Sequence, residues 1–307
     1  MPRNHIERRT AITVEFLGCS DYYATLGSLA FMGRVAHRGH EFDTMKTDET
    51  KAALSVAIIT KDEAHNLPDC LSSVRFADQV VVVDSGSADE TVHIAEDFGC
   101  EIFRKDWQGF GAQKQFAIDQ CRNKWVLVLD ADERIPEETA RAIRDIVAGA
   151  RASSGYSFPR KNYFQGRWIR HAGWWPDRVV RLFQKGCGSV TRARVHEAIH
   201  INGPVVELKT PIEHYTESRL DKVLLKIDRY STLGAEEAYQ QGKKTSVWSA
   251  GSRAMVTFVQ DYFFRLGFLD GPQGFTLAVT DSINKFFKYA KLNQLNLQTK
   301  QQLTKKQ

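Results

Sequence analysis

The chain has 307 residues, 42% of them hydrophobic and 26% charged, the balance of a globular protein with one large α/β domain plus an appendage, or two domains. A formal net charge of +5 is mild for this length, and with no nucleic-acid-binding motif it argues against a nucleic-acid partner. The five cysteines (Cys19, Cys70, Cys100, Cys121, Cys187) are scattered without C-x-x-C spacing, which suggests reduced thiols in a cytosolic protein rather than a disulfide framework or a zinc site.

No apolar run approaches the roughly 20 residues of a spanning helix. Arg3, Arg8 and Arg9 are not followed by a signal-peptide core. The expectation is a cytoplasmic protein, with peripheral contact on the cytoplasmic face of the inner membrane left open. Residues 1–50 show no period and end in the polar run Asp43 to Lys51. They read as a poorly ordered extension, or as the result of a start codon placed before a true start at Met32 or Met45.

Order begins at Leu54–Thr60, an apolar run that predicts a buried strand. A helix follows with Asn66 as N-cap and Leu67, Leu71 and Val74 on one face. Gln79–Asp84 is a second buried strand ending in a carboxylate. Ser87 and Glu90 suggest a capping box for the next helix, with Val92, Ala95 and Phe98 as its inner stripe. A short strand at Glu101–Phe103 leads through a glycine-containing loop to a helix around Gln113–Cys121.

Trp125–Leu129 is the strongest strand signal, five apolar residues that stop in Asp130, Asp132 and Glu133. Strand–helix alternation at this spacing predicts a mainly parallel sheet with helices on its faces. Pro136, Glu137 and Glu138 open a further helix with Ala140, Ile143 and Val147 inward, and Glu133 reads as part of its acidic approach. Residues 156–214 are strand-like and loop-rich. From Glu217 the texture is helical, with Val279, Ile283, Phe286, Phe287 and Ala290 on one face beside Lys285, Lys288 and Lys291. That face either lies on an anionic membrane surface or packs on the rest of the protein. The tail from Gln294 reads as frayed.

Three strand ends thus bring Thr60, Asp62 and Glu63, then Asp84, Ser85 and Ser87, then Asp130 and Asp132 to one edge, the place where open α/β sheets bind ligands. No G-x-G-x-x-G or G-K-[ST] loop is present, so carboxylates and a divalent metal suit a nucleotide better than a glycine loop. Two carboxylates two residues apart on an extended chain suit Mg²⁺ or Mn²⁺.

These motifs resemble, in order along residues 54–215, those of family 2 glycosyltransferases: Leu54-Ser-Val-Ala-Ile-Ile-Thr-Lys-Asp-Glu63, Val83-Asp84-Ser-Gly-Ser-Ala-Asp-Glu-Thr91 and Leu129-Asp130-Ala-Asp-Glu133. Members of that family are inverting enzymes of the GT-A fold, a Rossmann-like α/β architecture, that use nucleotide sugars. The Asp-Ala-Asp-Glu form is similar to the branch containing lipopolysaccharide core β-glucosyltransferases. So are Gly173-Trp-Trp-Pro-Asp177, Arg181-Leu-Phe183, Val195-His-Glu197, Gly267-Phe-Leu-Asp-Gly271 and Lys288-Tyr-Ala-Lys-Leu292.

The resemblance implies a catalytic domain at 51–215 and a helical C-terminal region at 216–307. It implies that Thr60, Glu63 and Asp84, with Ser87 beside them, meet the nucleoside, and that Lys114 lies near the donor. Asp130 and Asp132 match the element that binds ribose, diphosphate and metal. Glu197 falls at the catalytic base, although this chain has His-Glu where many members have Glu-Asp. Trp174, Trp175, Asp177, Arg181 and His196 are acceptor-side candidates.

Plainer readings stand beside these. Glu197 can pair with Arg192 or Arg194, and Asp177 can cap a turn. The tryptophans can be buried packing, Arg178 and Arg181 can be solvated, and His196 and His214 can be structural rather than metal ligands. The expected activity is inverting, metal-dependent transfer of a hexose, glucose from UDP-glucose, to a lipopolysaccharide inner-core acceptor. The rivals are a polyprenyl-phosphate sugar transferase of the same fold, a non-catalytic nucleotide-sugar binder and a phospho-acceptor domain.

Overall fold

The structure is a computed structural model and describes residues 53–150, 153–191, 198–216 and 219–304. The expected N-terminal extension lies outside the described residues. Twelve strands and seven α-helices follow in order. They are β1 (Leu54–Thr60), α1 (Leu67–Ser73), β2 (Gln79–Asp84), α2 (Thr91–Asp97), β3 (Glu101–Arg104), α3 (Phe110–Gln120), β4 (Trp125–Asp130), β5 (Glu133–Arg134) and α4 (Glu137–Asp145). Then come β6 (Gly155–Phe164), β7 (Arg167–Trp168), β8 (Asp177–Gln184), β9 (Gly188–Val190), β10 (Ile199–Ile201), β11 (Val205–Glu207) and β12 (Ile212–Tyr215). The last part is helical: α5 (Leu220–Gln240), α6 (Val247–Val259) and α7 (Gly271–Thr304), with short helical turns at Gln260–Phe264 and Gly267–Asp270.

The main sheet runs β3-β2-β1-β4-β8-β6-β12-β5. Strands β3, β2, β1 and β4 are parallel to one another, and β8 lies antiparallel between β4 and β6. The apolar runs of β1 and β4 serve both faces because side chains alternate. Val56, Ile58, Leu127 and Leu129 face the core shared with α1 and α4, while Ala57, Val126 and Val128 face α3. Strand β4 is the pivot, with three strands before it and the later strands beyond.

Several local expectations are corrected. The helix after β2 starts at Thr91, and no side chain caps it in a capping box. Ser87 donates instead to Asp84, so its hydroxyl belongs to the loop rather than to the helix. Helix α7 continues to Thr304 rather than fraying at Gln294, because Tyr239 and Asn296 tie α5 and the segment after it to α7. Its deepest residues are Leu277, Ala278 and Leu292, and Lys291 bonds Asp228, Ser231 and Thr232 on α5. Lys291 of the aromatic and lysine face thus packs on α5, while Phe287 and Lys285 of the same face are exposed. Cys70, Cys100, Cys121 and Cys187 are free thiols.

Candidate active site

The chain leaves β1 toward β2 and β3 on one side, and later returns to place β4 on the other. That reversal opens a crevice at the carboxyl ends of β1, β2 and β4. Register puts the key residues level, with Thr60 opposite Asp84 and Ile59 opposite Asp130.

At the β2 end, Asp84 is 2% exposed. Its Oδ2 accepts from the backbone N–H groups of Gly86 and Ser87, and its Oδ1 from the hydroxyls of Ser87 and Thr60. A carboxylate offers about four acceptor sites, and all are used within the loop. The carboxylate expected to meet the nucleoside thus also shapes the loop that carries it, and Gly86 supplies the positive φ of +85° that the turn needs. The neighbouring β1 loop is stitched to it. Asp62 N–H donates to Ser87 Oγ, Glu63 N–H to Thr91 Oγ1, and Ala88 N–H to Asp62 Oδ1. Glu63 itself accepts from the Asn66 side chain.

At the β4 end, Lys114 Nζ lies 2.9 Å from Asp130 Oδ1, and Arg181 Nη2 lies 2.7 Å from Asp130 Oδ2. Burial raises the Asp130 pKa, but the two cations outweigh it and hold this carboxyl well below the usual range. Lys114 is delivered by α3, which sits so close to the chain after β9 that a Cβ on Gly111 would meet Thr191 O at 2.6 Å. Unlike Asp84, Asp130 stays partly exposed, at 27% of its side chain. Arg181, an acceptor-side candidate by resemblance, is Asp130's partner. It also bonds Glu133 Oε1 at 2.7 Å. Burial lowers the Arg181 pKa, yet Glu133 and Asp130 together raise it, so the guanidinium stays charged. Glu133 is wholly buried in β5, not part of a helix approach.

The network continues with alternating sign. Arg160 on β6 bonds Asp177 Oδ2 and lies 3.4 Å from Glu133. Asp177 also accepts from Asn162 Nδ2, so it forms an ion pair at the start of β8 rather than a turn cap. Burial raises its pKa, and Arg160 and Asn162 bring it below the ordinary value. Asn162 Nδ2 donates as well to Trp174 O, which turns Asn162 Oδ1 toward His214 Nδ1 at 2.6 Å. Nδ1 therefore carries a hydrogen, and Nε2 is the nitrogen presented to Asp132 Oδ2 at 3.2 Å. Burial raises the Asp132 pKa, but the hydrogen bond and charge of His214 lower it further than burial lifts it.

Asp132 and His214 are the residues that could hold a divalent cation, in place of the proton their hydrogen bond now shares. Carboxylate and imidazole lie within contact distance, and a carbonyl-type oxygen orients the ring as metal-bound histidines require. Among the described residues no group of three or more His, Cys, Asp or Glu is disposed to hold a metal, so substrate oxygens would have to complete the shell, as phosphates do for Mg²⁺. Two buried polar atoms, Gln113 Oε1 on a side chain bonded to Ser85 and Arg181 Nε beside Asp130, have no hydrogen-bond partner, an unmet demand of the kind a bound ligand or water satisfies.

Trp174 packs on Phe164 and Trp175 on Trp168, so each has a packing role beside any contact with sugar. Arg178 bonds Glu207 and the Leu208 carbonyl. His196 and Glu197 lie outside the described residues. The flanking Thr191 and Ala198 are joined, with Thr191 N–H donating to Ala198 O at 2.9 Å. Sequence reading missed Glu133, Arg160 and Asn162 as a group. Their one signal was charged and amide residues inside strand-like runs, where a buried polar side chain demands a partner.

A family description, Glycosyl transferase family 2, matches residues 55–199. An uncharacterized glycosyltransferase of Rickettsia bellii is 31% identical over 257 residues, covering 80% of this chain and 87% of that protein. The lipopolysaccharide core biosynthesis glycosyltransferase LpsC of Rhizobium meliloti is 30% identical over 256 residues, covering 80% of this chain and 93% of its own. Among solved structures, S. aureus TarS 1-349 in complex with UDP-GlcNAc is 15% identical with a TM-score of 0.42, covering 80% of this chain and 92% of that one.

Proposed function

The chain belongs to glycosyl transferase family 2, and from that membership we propose that it transfers a hexose, glucose from UDP-glucose, with inversion, to the inner core of a lipopolysaccharide. Residues 51–215 form the catalytic portion in this reading, and the helices after them serve the acceptor side, where a glycolipid lies at a membrane. The observation that carries the reading is the pair of aspartates at the end of β4, held in two different settings. Asp130 is anchored by Lys114 and Arg181 and keeps acceptor capacity for ribose hydroxyls. Asp132 faces His214. The lipopolysaccharide acceptor is supported by the likeness to LpsC.

Asp132 and His214 would hold a Mg²⁺ or Mn²⁺ ion, which when bound neutralises charge on the departing nucleoside diphosphate. The protein's own residues do the rest. The stitched β1 and β2 loops, with Thr60, Glu63 and Ser87, form the rim that receives the nucleoside. Lys114 and Arg181 place positive charge beside the diphosphate, fixed in position before the donor arrives. Glu197 takes the proton of the acceptor hydroxyl as that oxygen attacks the anomeric carbon. Trp174, Trp175 and His196 line the acceptor side.

The test is release of free nucleoside diphosphate from UDP-, GDP- and TDP-sugars, with Mn²⁺ or Mg²⁺ and with chelator. Slow hydrolysis of UDP-glucose, lost on chelation and in Asp132→Asn and His214→Ala, is the expected result. Turnover that persists in chelator removes the metal from the account. Glu197→Gln should retain UDP binding and lose transfer, and unchanged transfer would reassign the base.

A further inference from the structure

The helices beyond Tyr215 carry a surface that the transfer chemistry leaves unused. On α6, Trp248 is 86% exposed, and Met255 and Val256 are each 64% exposed. Their spacing of seven and eight residues sets all three on one side of the helix. The two turns after α6 extend this side with Phe263, Phe264, Phe268 and Leu269, all exposed. The turns are firmly built. A Cβ on Gly267 would meet Asp261 O at 2.7 Å, and one on Gly274 would meet Gly267 O at 1.9 Å. Only glycine lets the segment press this tightly on α7, with its aromatic side chains turned outward.

The charge around this face has one sign. Between Gly242 and Asp270 the acidic residues are Asp261 and Asp270, and both are buried. Lys243, Lys244, Arg253 and Arg265 are all exposed. A groove between α6 and α7 at the edge of the apolar face is lined by Ser252, Arg253, Thr257 and Lys285, with Val256 and Tyr289. That set offers two cations and two hydroxyls to a phosphate.

We propose that the outer face of α6 and of the turns 260–270 docks the protein on a bilayer containing anionic phospholipid. Exposed aromatic and aliphatic side chains enter the interface, and the surrounding cations meet lipid phosphates. A second copy of the chain fits poorly, because a two-fold contact would bring Lys243, Lys244 and Arg253 against their own copies with no exposed carboxylate between Gly242 and Asp270 to answer them, Arg265 being already paired with Asp261.

The surface is wired to the site. Asp270 accepts from the backbone N–H groups of Arg170 and His171, and Arg265 O from that of Ala172. The same loop reaches Trp174, whose carbonyl accepts from Asn162, the residue that orients His214. Docking therefore sets the Trp174–Asp177 side at a membrane-borne acceptor. That last consequence rests on the glycolipid reading above, whereas binding to vesicles is measured without donor or acceptor, so the two fail separately.

The experiment is flotation of the full chain with vesicles of phosphatidylcholine alone or with phosphatidylglycerol added, at low and high salt. The wild type should float with the anionic vesicles and release in high salt. The double variant Trp248→Ser, Phe264→Ser should weaken partition by about tenfold or more, as should Lys243→Ala with Lys244→Ala on anionic vesicles. UDP binding should be unchanged in both, which shows that they fold. Absence of wild-type flotation overturns the proposal, as does flotation indifferent to both variants. A dimer that dissociates in Trp248→Ser, Phe264→Ser without any vesicle binding assigns the face to a second copy instead.

Discussion

His214 Nε2 stands 3.2 Å from Asp132 Oδ2 across 82 residues of sequence. The two are brought together because β12 pairs with β5 on one side and β6 on the other, placing His214 opposite both Glu133 and Asn162. The ring cannot rotate freely there, since its other nitrogen is held by Asn162. The orientation of the ring toward Asp132 is therefore set by an amide two strands away from the carboxylate.

Removing that amide tests the arrangement directly. In Asn162→Ala, His214 loses the acceptor that keeps hydrogen on Nδ1, and affinity for Mn²⁺ should fall by about 10–100-fold. Titration of the protein with Mn²⁺ in the presence of UDP, followed by calorimetry, gives the value. Unchanged affinity would show that His214 needs no such partner.

Glu133 is the most enclosed member of the charge network, between Arg181 and Arg160. Truncating one side of a buried pair leaves the other charge unanswered, so Glu133→Ala should cost about 3–5 kcal/mol. Denaturant unfolding reads this out. Pairing Glu133→Leu with Arg181→Met should recover much of the loss, and a double variant as unstable as the single one would contradict the charge argument.

Asp281 gives a pH signature of the helical region. Burial, with Asp261 adding to it against Lys285 and Arg265, pushes its carboxyl up to about 6 from the ordinary 3.8. The folded state then binds the proton more tightly than the unfolded chain, so ionisation costs stability above about pH 6, and the cost fades as pH falls toward 3.8. Asp281→Asn should melt higher than wild type at neutral pH, with the gap closing at acid pH. A gap independent of pH would place the effect elsewhere.

Gly111 governs how closely α3 approaches the chain after β9. A Cβ there meets Thr191 O at 2.6 Å, so Gly111→Ala should shift α3 and cost about 1–3 kcal/mol. Because α3 carries Lys114 to Asp130, UDP affinity should fall as well. Loss of stability with full UDP affinity would separate the helix's packing from the site.

Much of the catalytic half is legible in the chain. Leu54–Thr60, Gln79–Asp84 and Trp125–Asp130 are dominated by apolar residues because both sides of those strands are buried, and each ends at the crevice. Ser87 misled because the same serine can cap a helix or bind a nearby carboxylate, and Asp84 at three residues' distance won. Arg181 and Glu133 were harder still. Nothing local marks two residues 48 apart as partners, since the antiparallel strands that join them are paired only in the folded sheet. On α7 the apolar spacing is clear in the chain, and part of it packs on α5. On α6 the short stripe becomes significant only once exposure and the burial of Asp261 and Asp270 are known.

The insertion of β12 between β6 and β5 has a consequence for how the protein is made. Among the described strands β5 pairs with β12 alone, and Tyr215 N–H holds the Asp132 carbonyl at 2.9 Å. A ribosome that has delivered the first parallel strands and α4 has released both aspartates, yet half of their surroundings is still unsynthesised. Local βα pairings can form early, while closure of the crevice waits for a distant segment. The emerging chain thus carries its acidic loop open until residues 212–215 arrive, and the crevice closes only after most of the sheet has been made.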